Sequence, residues 1–214
     1  IVGGVASTFR RSVMSRVGHY DTDSATEDIS LSLKIAALGN KQHRIVYGAD
    51  ILAMTEGVQS FTALMSQRYR WKLGSLQNLI KFRRLTFARS NKYSKMLTFY
   101  RLPMAFLAEL LLIIEPMIVL YLVALSLSRL SFGLIIGAYV AISGIILITL
   151  WSDEHISTKR KASLSLYVPA MYFVFYIMNV VQIVAIIRCL VRPQRLLGEP
   201  ESGSVWKSPL RLGK

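Results

Sequence analysis

Between positions 102 and 190 the chain is dominated by Leu, Ile, Val, Phe, Tyr and Ala, whereas its first hundred positions mix apolar with polar residues. About 20 apolar residues in helical form cross a bilayer core, so the runs 102–128 and 130–151 predict two membrane spans. A third run, 164–190, contains Pro169 and Asn179, and either kinks as one span or breaks into a re-entrant pair. Upstream, Gly3-Gly4 opens a glycine-containing loop that leads through 5–11 into a short strand or turn. A brief helix over 12–17 then stops at Gly18. Ser24 or Thr26 caps a helix from Glu27 to Leu38, with two acids in its first turn and Gly39 at its end. Arg44-Ile45-Val46-Tyr47 predicts a strand, and Thr55-Glu56-Gly57 turns into a second helix carrying Phe61, Leu64, Met65 and Tyr69.

From 72 to 101 apolar and basic residues interleave, the pattern of amphipathic helices lying in a membrane interface. The expected organisation is therefore a cytosolic α/β segment over 1–71, interfacial helices over 72–101, an α-helical transmembrane region over 102–190, and a basic, flexible tail over 191–214. The first segment is too short to be a complete doubly wound domain.

Composition changes this picture in one respect. With 53% hydrophobic and 18% charged residues, the chain is too apolar for an ordinary soluble domain. Its net charge of +14 fits nucleic acid, an anionic membrane face or an anionic substrate equally well until position is considered. Basic residues crowd before the first span (Lys72, Lys81, Arg83, Arg84, Arg89), between later runs (Lys159, Arg160, Lys161) and after the last one (Arg188, Arg192, Arg195). That distribution marks cytoplasmic flanks of an integral protein of the plasma (inner) membrane. Membrane lipids are thus expected partners and nucleic acid is not. Three simple crossings, however, would put the basic tail on the far side, against the charge rule. The single cysteine, Cys189, reads as a small buried apolar residue. An opening of Ile1-Val2-Gly3-Gly4, with no basic stretch before an apolar core, is expected of the downstream part of a longer protein.

Two stretches carry candidate chemistry. Thr26-Glu27-Asp28 sets two carboxylates in the first turn of a helix, which by itself is only a stabilising arrangement. Gln67-Arg68-Tyr69-Arg70-Trp71 places Gln67, Arg70 and Trp71 on one helical face, since positions three and four apart are neighbours there. That face offers an amide for hydroxyls, a guanidinium for phosphate oxygens and an indole for a sugar ring. Glu109 and Glu115 lie inside the first apolar run, where an ionisable group is a functional candidate, here for lining a polymer channel or facing a neighbouring helix. His19, His43 and His155 are scattered rather than clustered as ligands. No Ser-His-Asp set, Walker loop or dinucleotide fingerprint occurs.

In this order, and before a cluster of spans, Thr-Glu-Asp and Gln-x-x-Arg-Trp resemble the processive family 2 membrane glycosyltransferases that make cellulose, hyaluronan, chitin and poly-N-acetylglucosamine. Gly4 to Arg11 resembles the family's glycine loop and Arg-Arg pair, Val17 to Asp21 its Val-Gly-Gly-Tyr-Asp, and Trp206 to Arg211 the tail of poly-N-acetylglucosamine synthase relatives. The resemblance implies the C-terminal part of a nucleotide-diphospho-sugar transferase fold. It also implies an inverting hexosyltransferase that uses a nucleotide-sugar donor such as UDP-N-acetylglucosamine and a growing polysaccharide or glycolipid acceptor, with possible export of the product. Asp28 would be the general base. Gln67, Arg70, Trp71, Glu27, Gly4 and Arg10 would contact substrate. Mg2+ or Mn2+ would serve the complete enzyme through ligands upstream of this chain. Asp21-Thr22-Asp23 has metal-motif spacing but aligns with the family's Gly-Tyr-Asp segment, and is not assigned to metal. The rival readings are single-sugar transfer to a lipid or short acceptor, and a catalytically silent scaffold or transporter subunit.

Overall fold

The computed structural model describes residues 7–39, 45–46, 48 and 57–196. The described elements are helical: α1 (Arg11–Val17), α2 (Glu27–Ala37), α3 (Phe61–Lys81), α4 (Leu102–Ser128), α5 (Gly133–Ser152), α6 (Thr158–Ser165), α7 (Val168–Val191) and α8 (Pro193–Leu196). A 3-10 turn, Arg83–Leu85, follows α3, and a π-helical turn, Leu97–Arg101, leads into α4. No strand is present among the described residues. Of the strand expected over 44–47 only Ile45 and Val46 are described, without strand structure, and the rest lies outside the described residues. Two compact units divide the chain: residues 1–109 with 184–214, and residues 110–183.

In the first unit α2 is buried on two stripes. Leu31 and Ile35 pack with Val13 of α1, and Phe9, Met14, Val17 and Leu38 flank them. Leu33 packs with Leu79, Leu85 and Leu102, flanked by Ile29 and Ala37. Positions 29, 33 and 37 repeat every four residues, so they stack on one face, while 31, 35 and 38 take another. Each fully buried Leu or Ile contributes about 1.5–3 kcal/mol. This helix is therefore fixed from both sides.

α1 ends where Gly18 turns left-handed at φ 74°, and the next residue, His19, takes φ 61° as well. A left-handed residue with a Cβ costs about 1–2 kcal/mol. Glycine would adopt this backbone at position 19 without that cost. α3 starts at Ser60, whose hydroxyl accepts the N–H of Ala63 at 3.1 Å, and runs without a break across position 71.

Leu97–Ser128, Gly133–Ser152 and Val168–Val191 are each long and apolar enough to cross a bilayer. Large apolar side chains point outward along them, among them Leu120, Ile148 and Phe173, a surface that lipid covers and water would not tolerate. The third run is one helix, not a re-entrant pair, because Pro169 sits in its first turn, where a missing N–H is harmless. Within the second unit Asn179 donates to Glu115 Oε1 at 3.1 Å, which satisfies two polar groups that an apolar setting would penalise. In the first unit Lys72 Nζ reaches both Glu109 oxygens at 3.1 and 2.9 Å, and Ser75 Oγ adds a third contact at 3.2 Å. Both acids of the first apolar run thus have partners on neighbouring helices.

The start of α4 and the end of α7 belong to the same unit, and α8 lies against α3. Replacing Leu33 by Ala is expected to lower stability by about 2–5 kcal/mol, while Ile148→Ala on the outward face changes it far less. Thermal unfolding of both variants in detergent micelles checks this contrast.

Candidate active site

Asp28 is the second residue of α2 and is half-buried. Its Oδ1 accepts the N–H of Ile29 at 2.8 Å, so one carboxylate oxygen is held against the first-turn donors of the helix. Those donors and the helix dipole favour negative charge at this spot. Glu27, one residue earlier, is exposed.

The expected side-chain cap at this helix start does not form. Thr26 occupies the cap position without a capping bond, because its hydroxyl is engaged elsewhere. Thr26 is buried, and its Oγ1 accepts from Asn78 Nδ2 of α3 at 3.1 Å. The same amide donates to Ser24 Oγ at 2.9 Å, to the Thr26 carbonyl at 3.2 Å and to the Gly74 carbonyl at 2.9 Å. Two further bonds hold the backbone just before the acids. Ala25 N–H donates to Gln77 Oε1 at 2.9 Å, and Arg70 Nη1 donates to the Ala25 carbonyl at 3.3 Å. Gly74 lets the two segments meet, since any Cβ there would collide with the Thr26 side chain.

Arg70, Gly74, Gln77, Asn78 and Lys81 recur at helical spacing along one stripe of α3. The Gln-x-x-Arg-Trp motif and the loop leading to Asp28 are thereby brought together. Of the residues expected to act together, Arg70 reaches the loop directly. Gln67 is half-buried on the same helix without a hydrogen bond to the Asp28 segment. Trp71 is 41% exposed, and the Arg68 guanidinium lies 4.6 Å from its ring centre. Burial lowers the pKa of Arg68. Arg10 is exposed and precedes α1, contributing no side-chain contact to this arrangement. Gly4 lies outside the described residues, as does the segment Trp206 to Arg211.

Gly74, Gln77 and Asn78 were not singled out from sequence, and Thr26 was read only as a possible cap and a member of its motif. The available signal was that polar Gln77 and Asn78 continue the Arg70 stripe two turns on.

Beside the clasp is an ion-pair network. Asp21 bonds Lys34 and Lys81, each at 2.8 Å, and accepts from Ser30 Oγ at 2.5 Å. Lys81 also pairs with Asp23 at 3.0 Å. Burial works against the charge on Asp21, but the bonds from Lys34, Lys81 and Ser30 outweigh it and hold the carboxyl well below the usual range. Burial likewise opposes the Lys81 charge, and the two aspartates overcome it and raise its pKa. Both acids of the Asp-x-Asp stretch thus serve lysines. Among the described residues no three His, Cys, Asp or Glu side chains converge as metal ligands, and this donor set does not fit a divalent ion.

A family model described as glycosyl transferase family group 2 matches residues 1–187. Over 80 residues the chain is 32% identical to the poly-beta-1,6-N-acetyl-D-glucosamine synthase of Staphylococcus aureus strain COL. Over the same length it is 31% identical to the synthase of that name from Staphylococcus epidermidis. The shared stretch makes up 37% of this chain and spans only 19% of the length of each relative. No solved structure matches.

Gly74→Ala adds a methyl where the Thr26 side chain stands, and is expected to cost about 1–3 kcal/mol despite the better helix propensity of Ala. Gly144→Ala, in open space, serves as the control in the same thermal scan. Because the folded pKa of Asp21 is depressed, its stabilising contribution is present above about pH 4 and is lost as pH falls toward the folded value. The contribution of Lys81, raised in the folded state, is present below about pH 10 and is lost at higher pH. The thermal midpoint of the wild type should therefore exceed that of Asp21→Asn by a constant gap at neutral pH, and the gap should close in acid.

Proposed function

As the chain belongs to glycosyl transferase family group 2, we propose that it supplies the acceptor-side half of an inverting, membrane-embedded hexosyltransferase, with Asp28 as its general base. The donor is a nucleotide-diphospho-sugar of the UDP-N-acetylglucosamine class, and the acceptor is the end of a β-linked polysaccharide. The printed name of the staphylococcal relatives supports the sugar class. The observation that carries the reading is the clasp of the Asp28 loop onto the Arg70 helix.

In the reaction the acceptor hydroxyl oxygen attacks the anomeric carbon while the bond from that carbon to the diphosphate oxygen breaks. The hydroxyl proton passes to Asp28, and attack from the face opposite the diphosphate inverts the anomeric centre. A sugar hydroxyl is far less acidic than a carboxylic acid, so Asp28 takes the proton only as the new bond forms. Fixing α2 on two faces and its preceding loop on α3 holds the carboxylate in place before substrate arrives, which is where positional catalysis gains most. Arg70 lies beside this loop with a guanidinium suited to a departing diphosphate. Trp71 presents an exposed flat surface for a pyranose, and Gln67 an amide for its hydroxyls. Asp21 and Asp23, each paired with lysine, are not assigned to the Mg2+ or Mn2+ of the complete enzyme.

Asp28→Asn in the full-length protein is expected to reduce sugar transfer by about 10²–10⁴-fold while membrane insertion is retained. Arg70→Lys keeps the charge but loses the planar fork, and is expected to lose activity as well. Radiolabelled sugar incorporation with sizing of the product checks both. Unchanged transfer in Asp28→Asn would favour a silent scaffold, and a product one sugar longer would replace polymer synthesis by single transfer.

A further inference from the structure

Next to the clasp the first unit has an open cavity of about 390 Å3, within the usual range of ligand pockets, about 300–1,000 Å3. Its cationic wall is Lys81, Arg83 and Arg84, its apolar wall includes Ile80 and Leu196, Ser24 and Gln77 close the side toward Asp28, and Asp23, the one acid of the lining, is paired with Lys81. The charges here are not equivalent. Asp21 and Asp23 balance Lys34 and Lys81, two against two. The excess positive charge therefore belongs to Arg83 and Arg84, exposed side chains that form no ion pair among the described residues.

Two neighbouring guanidiniums that pair with no carboxylate among the described residues suit a phosphate group. The position of the cavity selects the kind of phosphate. Only Arg192 separates α7, a helix of membrane-spanning length, from α8, whose last residue is Leu196. A helical connection of that length advances about 8 Å. The polar headgroup layer is about 5–8 Å deep on each side of the hydrocarbon core. On the opposite wall, Arg83 and Arg84 precede the apolar stretch that begins at Leu97. One membrane-length helix thus ends five residues before Leu196 on this cavity's wall, and another begins where Leu102 packs on Leu79 and Leu85 of the same unit, so the nearest phosphates are those of lipids.

We propose that the Lys81–Arg83–Arg84 cavity binds the headgroup phosphate of an anionic phospholipid, and that occupancy steadies the loop bearing Asp28. The route is short: Gln77 lines the cavity and accepts the Ala25 N–H, and Ser24 lines it and accepts from Asn78. The coupling to activity rests on the catalytic reading of Asp28 given above, whereas the lipid site itself does not.

The test uses full-length protein purified in detergent, with phosphatidylglycerol and phosphatidylcholine as probes. Native mass spectrometry is expected to show phosphatidylglycerol retained over phosphatidylcholine. Arg83→Gln/Arg84→Gln should weaken that retention by about twentyfold, and Lys159→Gln/Arg160→Gln, which removes the same charge from another basic segment, should leave it intact. In phosphatidylcholine vesicles the wild type and the Arg83/Arg84 variant should transfer sugar equally, and added phosphatidylglycerol should accelerate only the wild type and the Lys159/Arg160 variant. Equal retention of the two lipids, or equal losses from both basic pairs, would overturn the site. So would displacement of the lipid by soluble UDP or inorganic phosphate, which would make the cavity a subsite for a soluble anion. Selective retention with no effect of phosphatidylglycerol on transfer would overturn the coupling alone. If no protein transfers sugar at all, the catalytic reading has failed, and the mass measurement still decides the lipid site.

Discussion

The contact on which the first unit depends is the buried amide of Asn78 against Thr26, Ser24 and Gly74. An amide with no exposed surface costs about 1–3 kcal/mol when its hydrogen bonds are missing. The geometry of the loop is therefore not free to drift: leaving its place would strand Nδ2 in an apolar interior. Gly74 makes the approach possible by having no side chain, and Gln77 and Arg70 secure the backbone on either side of Ala25. The catalytic candidate inherits its position from these neighbours more than from any contact of its own carboxylate.

That arrangement separates two roles often merged when a motif is read as a string. Threonine in Thr26-Glu27-Asp28 is structural, turned away from its own helix to meet α3. The aspartate faces the first-turn N–H groups and remains half-buried. In the same way Asp21 and Asp23, which have the spacing of a metal motif, are the anionic half of a lysine network. A short polar string is ambiguous because many such residues are equally good at capping, pairing and catalysis, and only the partner decides.

The two long apolar helices that end near α3 give the first unit its membrane edge. Glu109 finds Lys72, next to the tryptophan of the second motif, and Ser75, one turn beyond it, so a group that looked misplaced in an apolar run instead ties α4 to the motif helix. Glu115 and Asn179 perform a comparable service within the second unit. Burial is sparse along α5, whose side chains leave no residue covered, as a lipid-facing helix requires when no second protein layer shields it.

The sequence by itself determined the first two apolar helices, the bounds of α2 and the start of α4, because hydrophobic periodicity and run length are local properties written directly in residue order. It also determined the family, since Thr26-Glu27-Asp28 and Gln67-x-x-Arg70-Trp71 stand in a diagnostic order. It did not determine that Thr26 forgoes its cap, that Gly74 and Asn78 receive it, or that α8, just beyond α7, lies against α3. Each of those depends on which groups meet across fifty or more residues of chain. Pairing at that range is set by the competition among buried polar groups for partners, and only the tertiary structure decides it.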